Sequence, residues 1–344
     1  MTERQAFVAV LIVGYRNSAD IKKCLGAIAR TVGVPGFDVF ICENGGAGSY
    51  RTLVSDLIIQ NGPCALFNRE ACDEWQTDRM PHVERLQLRT KHSNVWVGCA
   101  AENLGYAGGI NAWLTQLLSV DGWKGIWILN PDTEPAPSAL AALIKHAETA
   151  GKGMVGSTIM DSGRGNYARI RGGLHWQRLL GRCVAIGRGE RTEVIPDISA
   201  IEAAMDSPSG CSMYVTRQCV EKVGPMDERY FLYFEDLDWG IRAKTFGLGY
   251  ASDSHVEHQR GTTTGSAKSL SAIPKLAVYL EHRNSIHFVR AHFAWTLPIR
   301  IAASLLYAFR FLLSGAPRNF NASVQGLLAG LRGEIGRPGW HQDR

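Results

Sequence analysis

The chain has 344 residues, of which 45% are hydrophobic, 20% charged and 9% aromatic. This composition is typical of a globular protein and excludes a disordered chain, a collagen-like repeat and a small scaffold held by disulfides. The formal net charge of +5 is unevenly spread, because the segment from Arg290 onward carries seven Arg, no Lys and two acids. A neutral body with a basic tail excludes a broad nucleic-acid-binding face and indicates one local partner for the tail.

The eight cysteines show no C-x-x-C spacing, which excludes zinc knuckles and thioredoxin-type redox sites. Several lie within apolar runs, so we expect reduced thiols and a cytoplasmic protein. The chain starts with Glu3 and Arg4 before an apolar run, and no small-residue cleavage site follows, which is typical of a first β-strand rather than a signal peptide. No uncharged apolar stretch is long enough to span a bilayer.

The first half of the chain alternates between patterns typical of buried strands and of amphipathic helices. Asn17 or Ser18 is expected to cap the first helix. The stretch from about 61 to 85 lacks clear periodicity and is interpreted as an insertion. The alternation predicts an open parallel sheet that binds ligands beyond the carboxyl ends of its strands. The predicted elements are strand 7–13, helix 19–30, strand 37–42, strand 94–98, a helix from the Gly-rich stretch 103–111 to about 118, and strand 125–129.

After Gly151 the pattern changes to short β-like pieces that contain Gly and Arg, which predict antiparallel strands. Helical patterns follow, and the last of them is interrupted near Pro274. The predicted strands are 167–174, 182–186 and 210–215, and the predicted helices are 235–246 and 269–293.

A carboxylate follows the strand at 125–129. Asn130, Pro131 and Asp132 stand at its carboxyl end, where an acidic side chain can ligate a divalent cation whose other ligands are phosphate oxygens. Pro131, Asp132 and Thr133 also make a good turn, so a turn without a ligand is the alternative.

A second acidic cluster follows a run of aromatic residues. Four of the five residues at 230–234 are aromatic, and Glu235, Asp236 and Asp238 come next. An apolar wall raises the pKa of a carboxyl group and favours a general base, for which Glu235 and Asp236 are the candidates. The alternative is a helix N-terminus whose acids offset the helix dipole, with Asp238 paired to Arg242 one turn later.

Two further motifs leave alternatives open. His255 and His258 lie in a segment typical of strand or loop, where a spacing of three places them on opposite sides, so that one is a candidate ligand and the other a surface residue. In the Gly-rich stretch 103–111, glycines such as Gly105 and Gly108 permit the backbone to approach a phosphate at a helix start. The stretch fits neither the dinucleotide fingerprint nor the P-loop, and a packing role is the alternative.

Six motifs in series resemble those of the family 2 glycosyltransferases with the GT-A fold, and within them the bacterial rhamnosyltransferase-like group. They cover most of 7–290. The resemblance implies an α/β protein with a mostly parallel Rossmann-like sheet flanked by helices. Residues 1–265 would be the catalytic domain, with a nucleotide-binding half at 1–132 and an acceptor-binding half at 133–265, and 266–344 would be a C-terminal helical extension. The motifs read VLIVGYRNSADIKKCL, ICENGG, NLGYAGGIN, WILNPDTEP, GCSMYVTRQCVEKVGPMDERYFLYFEDLDWGIRAKTFG and YLEHRNSIHF.

The resemblance implies inverting transfer of a sugar from a nucleotide-diphosphate donor, helped by Mg²⁺ or Mn²⁺. Asp132 matches the last acid of the family's Asp-x-Asp-type motif and would ligate the metal with His258, which resembles the family's late histidine. Asp236 matches the catalytic base, and Glu235 beside it would orient the base or the acceptor. Glu43 stands where the family usually has an Asp that contacts the nucleotide base. The donor-contacting residues implied in this way are Tyr15, Asn17, Glu43, Asn103, Gly105, Gly108, Asn111, Asn130 and Asp132.

The same resemblance favours rhamnose on a dTDP or UDP carrier as the donor. The acceptor would be a hydroxyl of a glycan or of a polyprenyl-linked saccharide in cell-surface polysaccharide synthesis. The alternatives are transfer of a galactosyl, glucosyl or N-acetylhexosaminyl group and, in a different class, a non-catalytic glycan-binding protein. A metal-dependent nucleotidyltransferase is disfavoured, because it would need a Gly-rich, Arg-bearing loop after the first strand.

The C-terminal tail has apolar residues at helical spacing, namely Ile301, Leu305, Phe309 and Leu312, with arginines in between. This pattern is typical of a helix that lies on an anionic membrane surface. A helix packed on the catalytic domain, or a homodimer contact within 293–344, is the alternative. We therefore expect a cytoplasmic protein, peripheral on the inner face of the cytoplasmic membrane, with no nucleic-acid partner.

Overall fold

A mixed β-sheet forms the centre of the protein in the computed structural model, which describes residues 7–34, 36–67, 73–162, 166–259 and 269–340. Within these residues the main sheet has eleven strands and a second sheet has three. The strands, in chain order, are β1 (Phe7–Gly14), β2 (Phe37–Glu43), β3 (Cys64–Leu66), β4 (His82–Leu88), β5 (Asn94–Cys99), β6 (Trp123–Leu129), β7 (Thr133–Pro135), β8 (Met154–Asp161), β9 (Ala168–Arg171), β10 (Gly173–Gln177), β11 (Arg182–Ala185), β12 (Ser207–Pro208), β13 (Ser212–Thr216) and β14 (Leu248–His258).

Four neighbouring strands, β5, β2, β1 and β6, run parallel in the middle of the main sheet. Beyond β6 the sheet continues through the antiparallel β13 to β8, β14 and β7, and β9 pairs with β8. At the opposite edge β4 and β3 are added in antiparallel fashion. The four parallel strands end at one edge of the sheet, so the residues that follow them lie on the same side of the molecule.

Helices cover both faces of the sheet. Ala9 and Leu11 of β1 belong to the core on one face, and Val8 and Val10 belong to the core on the other. Because both faces are buried, the strand is apolar at successive positions. The helices are α1 (Ser18–Ile28), α2 (Gly46–Ile58), α3 (Gly105–Leu117), α4 (Ala139–Ala150), α5 (Ile198–Ala204), α6 (Arg217–Val223), α7 (Glu235–Ala243), α8 (Lys275–His292), α9 (Leu297–Leu313) and α10 (Pro317–Arg332).

Most of the predicted strands and helices are present close to their predicted bounds, and α8 begins directly after Pro274. The single strand predicted at 167–174 is wrong, because Gly172, with a φ of 74°, divides it into β9 of the main sheet and β10 of the second sheet. Asn17 precedes α1, but its side chain does not cap the helix; its Oδ1 accepts a hydrogen bond from the Tyr15 amide at 3.0 Å. The stretch interpreted as an insertion supplies β3 and part of β4. These edge strands mix buried and exposed positions, which obscures their periodicity. The seven cysteines of the described residues form no disulfide.

The predicted antiparallel region after Gly151 contains the second sheet, in which β10 pairs with β11 and β12. The hairpin tip between β10 and β11 packs against α9, because Gly181 accepts a hydrogen bond from the guanidinium of Arg300. Arg300 is 5% exposed and also donates to Ser304 Oγ. The hairpin is thereby attached to the C-terminal helices.

The apolar stripe of α9 faces away from the rest of the described chain. Arg300, Ser304, Ala308 and Phe311 form the buried side of the helix. Of the predicted stripe, Leu305, Phe309 and Leu312 are exposed by 52%, 54% and 46%, whereas Ile301 is half-buried. Most of the stripe therefore does not pack on the described chain. On the buried side, Arg300 and Ser304 bond to each other, and Arg300 also bonds to the hairpin.

The segment Ala294–Leu313 has the length and mean hydropathy of a membrane-spanning helix, even though it carries two arginines, and 28% of it is buried. Length and composition alone support this statement. The division of the chain at residue 265 lies outside the described residues and stays a prediction.

Candidate active site

A buried acid and a buried histidine meet where β6 and β14 end. Asp132 lies in the turn between β6 and β7, and His258 is the last residue of β14. Because His258 pairs with Thr133 across the β7–β14 ladder, Nε2 of His258 comes to 3.4 Å from Oδ1 of Asp132. Both residues are nearly inaccessible, at 4% and 3% exposure. His255 lies on the opposite side of the same strand, as its spacing predicts.

Arg169 determines the tautomer of His258. Its guanidinium Nη1 lies 3.0 Å from Nδ1 of His258 and 3.8 Å from Oδ1 of Asp161. A guanidinium only donates, so Nδ1 accepts and the proton of the neutral ring lies on Nε2, facing Asp132. Burial lowers the pKa of His258, with the charge of Asp132 opposing and that of Arg169 adding to this effect, so the ring is neutral near pH 7.

A tyrosine hydroxyl connects the two acidic parts of the site. The Tyr106 hydroxyl lies 3.0 Å from Oδ1 of Asn130 and 2.9 Å from the carbonyl oxygen of Gly210. Burial raises the pKa of Tyr106, and the nearby charge of Asp236 adds to the effect, so its proton is retained. The hydroxyl thus donates to one of these two oxygens at a time.

Two backbone amides hold the carboxylate of Asp236. The Gly210 amide donates to Oδ2 at 3.0 Å and the Leu237 amide donates to Oδ1 at 2.8 Å. Burial raises the pKa of Asp236, and these hydrogen bonds oppose the rise because they stabilise the ionised form. Asp236 is half-buried as a residue, and the two amides favour the ionised form of its carboxyl group.

In contrast to Asp236, Glu235 is almost completely buried. It is 5% exposed, and its buried Oε2 has no hydrogen-bond partner among the residues that the structure describes. Burial raises the pKa of Glu235 well above its ordinary value, and the adjacent charge of Asp236 raises it further. When one proton is shared by such a pair, it resides on the more deeply buried carboxyl group, which is Glu235.

Asp238 belongs to the framework, as the sequence indicates. Its Oδ2 accepts from Nε of Arg242 at 2.8 Å, which is the predicted pair one helical turn apart. Its Oδ1 lies 2.7 Å from Nε2 of His292 at the end of α8. These partners hold the pKa of Asp238 below its ordinary value despite burial. The structural interpretation of Asp238 is confirmed.

The residues before the acid pair form a strained turn, which we call the aromatic loop (residues 230–234). Phe231, Tyr233 and Phe234 have φ angles of 65°, 69° and 75°, in the left-handed region. Bulky side chains rarely adopt this conformation, and each instance costs about 1–3 kcal/mol. Phe234 immediately precedes Glu235, so the loop sets where α7 begins.

The glycines of the Gly-rich stretch pack against this loop. A Cβ on Gly105 would lie 2.2 Å from the carbonyl oxygen of Phe231, and the next residue, Tyr106, donates its amide to that same oxygen at 2.7 Å. A Cβ on Gly108 would lie 2.9 Å from Cβ of Leu104. The packing alternative therefore accounts for both glycines, and their contact with a donor stays a prediction.

Two asparagines of the same stretch are engaged by protein groups. Oδ1 of Asn103 accepts from the Gly105 amide at 3.0 Å. The side chain of Asn111 is buried, accepts from the Met226 amide at 3.1 Å and donates to the Met226 carbonyl at 2.8 Å. Donor contacts of Asn103 and Asn111 stay predictions, and the structure gives Asn111 a packing role.

Glu43 closes the end of β2 and is completely buried. Its Oε1 accepts from the amides of Gly45 and Arg16 at 2.7 and 3.1 Å. Its Oε2 is buried and has no hydrogen-bond partner within the described parts of the chain. Tyr15, which is 39% exposed, and Asn17 lie beside it after β1.

The structure thus brings Asp132, His258 and Asn130 to one sheet edge and links them through Tyr106 to the acid pair. Sequence analysis missed Tyr106, Arg169 and the Gly210 backbone. Tyr106 lies inside a motif that was considered for its glycines and asparagines, whereas Arg169 stands in a short strand that carries no recognisable motif.

The family of this chain follows from its comparison with known proteins. N-acetylglucosaminyl-diphospho-decaprenol L-rhamnosyltransferase of Mycobacterium tuberculosis, in strains CDC 1551 / Oshkosh and ATCC 25618 / H37Rv, is 31% identical over 251 residues. The match covers 65% of this chain and 78% of that protein. The chain belongs to the rhamnosyltransferase-like family 2 glycosyltransferases. It is therefore an enzyme of the glycosyltransferase class, and both the resemblance and the α/β fold that it implies are confirmed. No protein-family model matches the chain.

Solved glycosyltransferases resemble the structure over most of its length. The mannosyltransferase PcManGT from Pyrobaculum calidifontis, in complex with GDP-Man and Mn²⁺, covers 95% of this chain and 88% of its own at 13% identity and a TM-score of 0.47. S. aureus TarS 1-349 in complex with UDP-GlcNAc covers 97% and 93%, at 12% identity and a TM-score of 0.47. At these scores the likeness carries no information about substrate.

Replacement of Gly105 by alanine is expected to destabilise the glycosyltransferase more than the same change at Gly46. Both glycines have positive φ, at 73° and 83°, which costs alanine about 1–2 kcal/mol. A Cβ on Gly105 would also clash with the carbonyl oxygen of Phe231, whereas a Cβ on Gly46 has open space around it. The clash adds about 1–3 kcal/mol. Urea unfolding of the two variants measures the difference, and equal losses would contradict the close contact with the aromatic loop.

Proposed function

We propose that the enzyme transfers rhamnose, with inversion, from a dTDP- or UDP-linked donor to a hydroxyl group of a polyprenyl-linked saccharide. The observation that carries the reaction type is the pair of carboxyl groups at the start of α7, of which Asp236 is half-buried and held by two backbone amides and Glu235 is buried. The relative's name supports the sugar and the acceptor class, since that protein is an L-rhamnosyltransferase that acts on a decaprenol diphosphate sugar. The product would serve cell-surface polysaccharide synthesis.

Asp236 is the proposed general base. Inversion is a single displacement in which the acceptor hydroxyl attacks the anomeric carbon while the nucleoside diphosphate leaves from the opposite face. The hydroxyl must lose its proton as the new bond forms, and an ionised carboxylate at hydrogen-bond distance accepts it. The amides of Gly210 and Leu237 fix the carboxylate in place before the acceptor arrives. Glu235 retains its own proton and orients its neighbour.

The residues at the sheet edge fit a divalent cation through Asp132. Mg²⁺ is commonly held by one or two carboxylates together with substrate phosphates and water, so one acidic residue beside the donor diphosphate is sufficient. The described residues contain no cluster of three or more His, Cys, Asp or Glu side chains around one point. His258 would join as a ligand only when Arg169 releases its Nδ1, because the ring otherwise holds its proton on Nε2. When bound, Mg²⁺ or Mn²⁺ supplies positive charge for the leaving diphosphate.

The donor base and sugar are proposed to lie between β1, β2 and β6. Oε2 of Glu43 is a buried acceptor without a partner in the described chain, which suits the N3–H donor of a uracil or thymine ring. The exposed ring of Tyr15 offers a surface on which a base can stack. Asn17 lies next to it, and Asn130, whose Oδ1 is bonded to Tyr106, stands where the diphosphate would pass.

Donor turnover tests the proposal as a whole. Release of nucleoside diphosphate is measured with dTDP-rhamnose, UDP-rhamnose, UDP-galactose, UDP-glucose and UDP-N-acetylglucosamine in the presence of Mg²⁺ or Mn²⁺ and a polyprenyl diphosphate N-acetylglucosamine acceptor. A rhamnosyl donor is expected to give the fastest acceptor-dependent release. A faster reaction with another sugar would overturn the choice of rhamnose, and no release from any of these donors would overturn the proposed reaction.

Replacement of Asp132 by asparagine is expected to abolish metal-dependent donor turnover and to leave the fold intact, since the amide is nearly isosteric. The direct readout is Mn²⁺ affinity, measured by electron paramagnetic resonance or calorimetry with the nucleoside diphosphate present. Glu134→Gln is the matched control, because Glu134 is two residues away and its contact with Gln259 is retained by an amide. Wild-type Mn²⁺ affinity in Asp132→Asn would remove Asp132 as a ligand.

Replacement of Asp236 by asparagine separates chemistry from binding. Donor and metal affinity should barely change, whereas transfer should fall by roughly 10²–10⁴-fold, the usual contribution of a general base. Glu235→Gln should cost less, because Glu235 is already protonated in the wild type. A reversed ranking in kcat would move the base to Glu235, and loss of donor binding in both variants would assign the pair to the framework.

The enzyme is proposed to lie on the inner face of the cytoplasmic membrane through α9 and the β10–β11 hairpin. The exposed apolar residues of this surface are joined by exposed arginines, and no acid occurs between 290 and 333. An apolar face flanked by positive charge fits an anionic bilayer. This surface, which we call the α9 face, is formed by Leu179, Leu180, Trp295, Leu305, Leu306, Phe309, Leu312 and Leu313, with Arg178, Arg182, Arg310 and Arg318.

Flotation with anionic liposomes tests the α9 face. The double variant Leu306→Ser/Leu313→Ser is expected to lose at least about tenfold in membrane partitioning, because burial of a leucine contributes about 1.5–3 kcal/mol. Ile195→Ser, at a residue that is 92% exposed elsewhere on the surface, is the control and should float like the wild type. No flotation of the wild type at low salt, together with a concentration-dependent dimer, would replace the membrane by a second copy of the chain.

A further inference from the structure

The motif YLEHRNSIHF in α8 has no role in the proposed chemistry, yet it contains a fully buried amide that contacts the aromatic loop. Asn284 has 0% exposure. Its Nδ2 lies 2.9 Å from the carbonyl oxygen of Tyr230, 2.8 Å from that of Leu232 and 2.9 Å from that of Tyr233. One side-chain amide therefore serves three carbonyl groups of a turn that ends where the acid pair begins.

The neighbouring arginine fixes the orientation of this amide. Nε of Arg283 donates to Oδ1 of Asn284 at 2.9 Å, so the oxygen end of the amide faces Arg283 and the nitrogen end faces the loop. Arg283 also donates through Nη2 to the Tyr230 carbonyl at 3.1 Å and through Nη1 to the Gly336 carbonyl at 2.6 Å. It is 1% exposed, so these bonds form in the interior and are hard to exchange for water.

The remaining carbonyl groups of the loop are bonded to other elements. The Phe231 oxygen accepts from the Tyr106 amide at 2.7 Å, and the Phe234 oxygen accepts from the Asp238 amide of α7 at 2.9 Å. Every carbonyl of the loop thus has a donor. The left-handed residues cost conformational free energy, and the hydrogen bonds from α8, Tyr106 and Asp238 offset that cost.

We infer that Asn284 is a positioning residue for glycosyl transfer, because it holds the aromatic loop in the left-handed conformation that sets Asp236 against Gly210. It does so without contact with either substrate. Loss of its donors lets the loop relax and turns the start of α7, so the carboxylate leaves the Gly210 amide. This inference rests on the proposed role of Asp236 as the base.

The experiment compares two buried asparagines of the helical region. Asn284→Asp keeps the shape but removes both N–H donors, and Asn284→Ser keeps a single, shorter donor. Asn319 is the matched control, since it is 3% exposed and its Nδ2 donates to the carbonyls of Leu270 and Ile273, away from the acid pair. Asn319→Asp and Asn319→Ser therefore remove the same kind of bond elsewhere. All variants are assayed in the full-length enzyme below their unfolding temperatures.

Both Asn284 variants are expected to lower kcat for transfer at least tenfold while the affinity for the nucleoside diphosphate with Mn²⁺ stays within twofold of the wild type. Asn284→Ser should retain more activity than Asn284→Asp. The Asn319 variants should lose thermal stability to a similar degree and keep kcat within twofold. If Asn284→Asp does not fold, the serine pair decides the comparison.

A folded Asn284 variant with wild-type kcat would overturn the inference, and so would an equal fall in kcat in the Asn319 control. These outcomes are distinct from failure of the proposed function. If Asp236→Asn retains wild-type transfer, the base assignment fails whatever Asn284 does. If Asp236→Asn loses transfer and the Asn284 variants do not, the base stands and the positioning role fails.

Discussion

The site depends on the left-handed conformation of the aromatic loop. Three bulky residues there adopt positive φ, and the loop is stable only because hydrogen bonds reach its carbonyl groups from both sides. From one side comes the Tyr106 amide of α3, which the close approach of Gly105 brings to the loop, and from the other comes Asn284 of α8. The nucleotide side of the sheet and the C-terminal helices must therefore both be in place before Asp236 has a defined position.

Differences in burial and in hydrogen bonding give the acidic groups of the cleft different pKa values. Two amides oppose the rise that burial causes in the pKa of Asp236, whereas burial and the charge of Asp236 raise the pKa of Glu235 well above its ordinary value. At the sheet edge, Asp132 faces a neutral imidazole because Arg169 occupies the other ring nitrogen of His258. The two regions communicate through the neutral hydroxyl of Tyr106 rather than through a charge.

The sequence was sufficient for the sheet and for much of the acidic chemistry. Apolar runs such as Phe7–Gly14 identify strands because both of their faces are buried, and the i,i+4 spacing identified the Asp238–Arg242 pair. It was not sufficient for Arg169 or Asn284. Their partners are distant in the chain and are backbone carbonyls or ring nitrogens, which leave no pattern in side-chain type. Gly105 was noticed, but its reason is a backbone contact that no spacing rule contains.

The buried arginine of α9 has a consequence for geometry. Arg300 bonds to the hairpin tip at Gly181, and β10 of that hairpin pairs with β12. The hydroxyl of Ser207 in β12 donates to the carbonyl oxygen of Asp236 at 2.6 Å. The rotation of α9 about its own axis is therefore coupled to the cleft. Any surface that binds the outer side of α9 is held at a constant height and tilt above Asp236, which sets how far an acceptor must extend from that surface to reach the base.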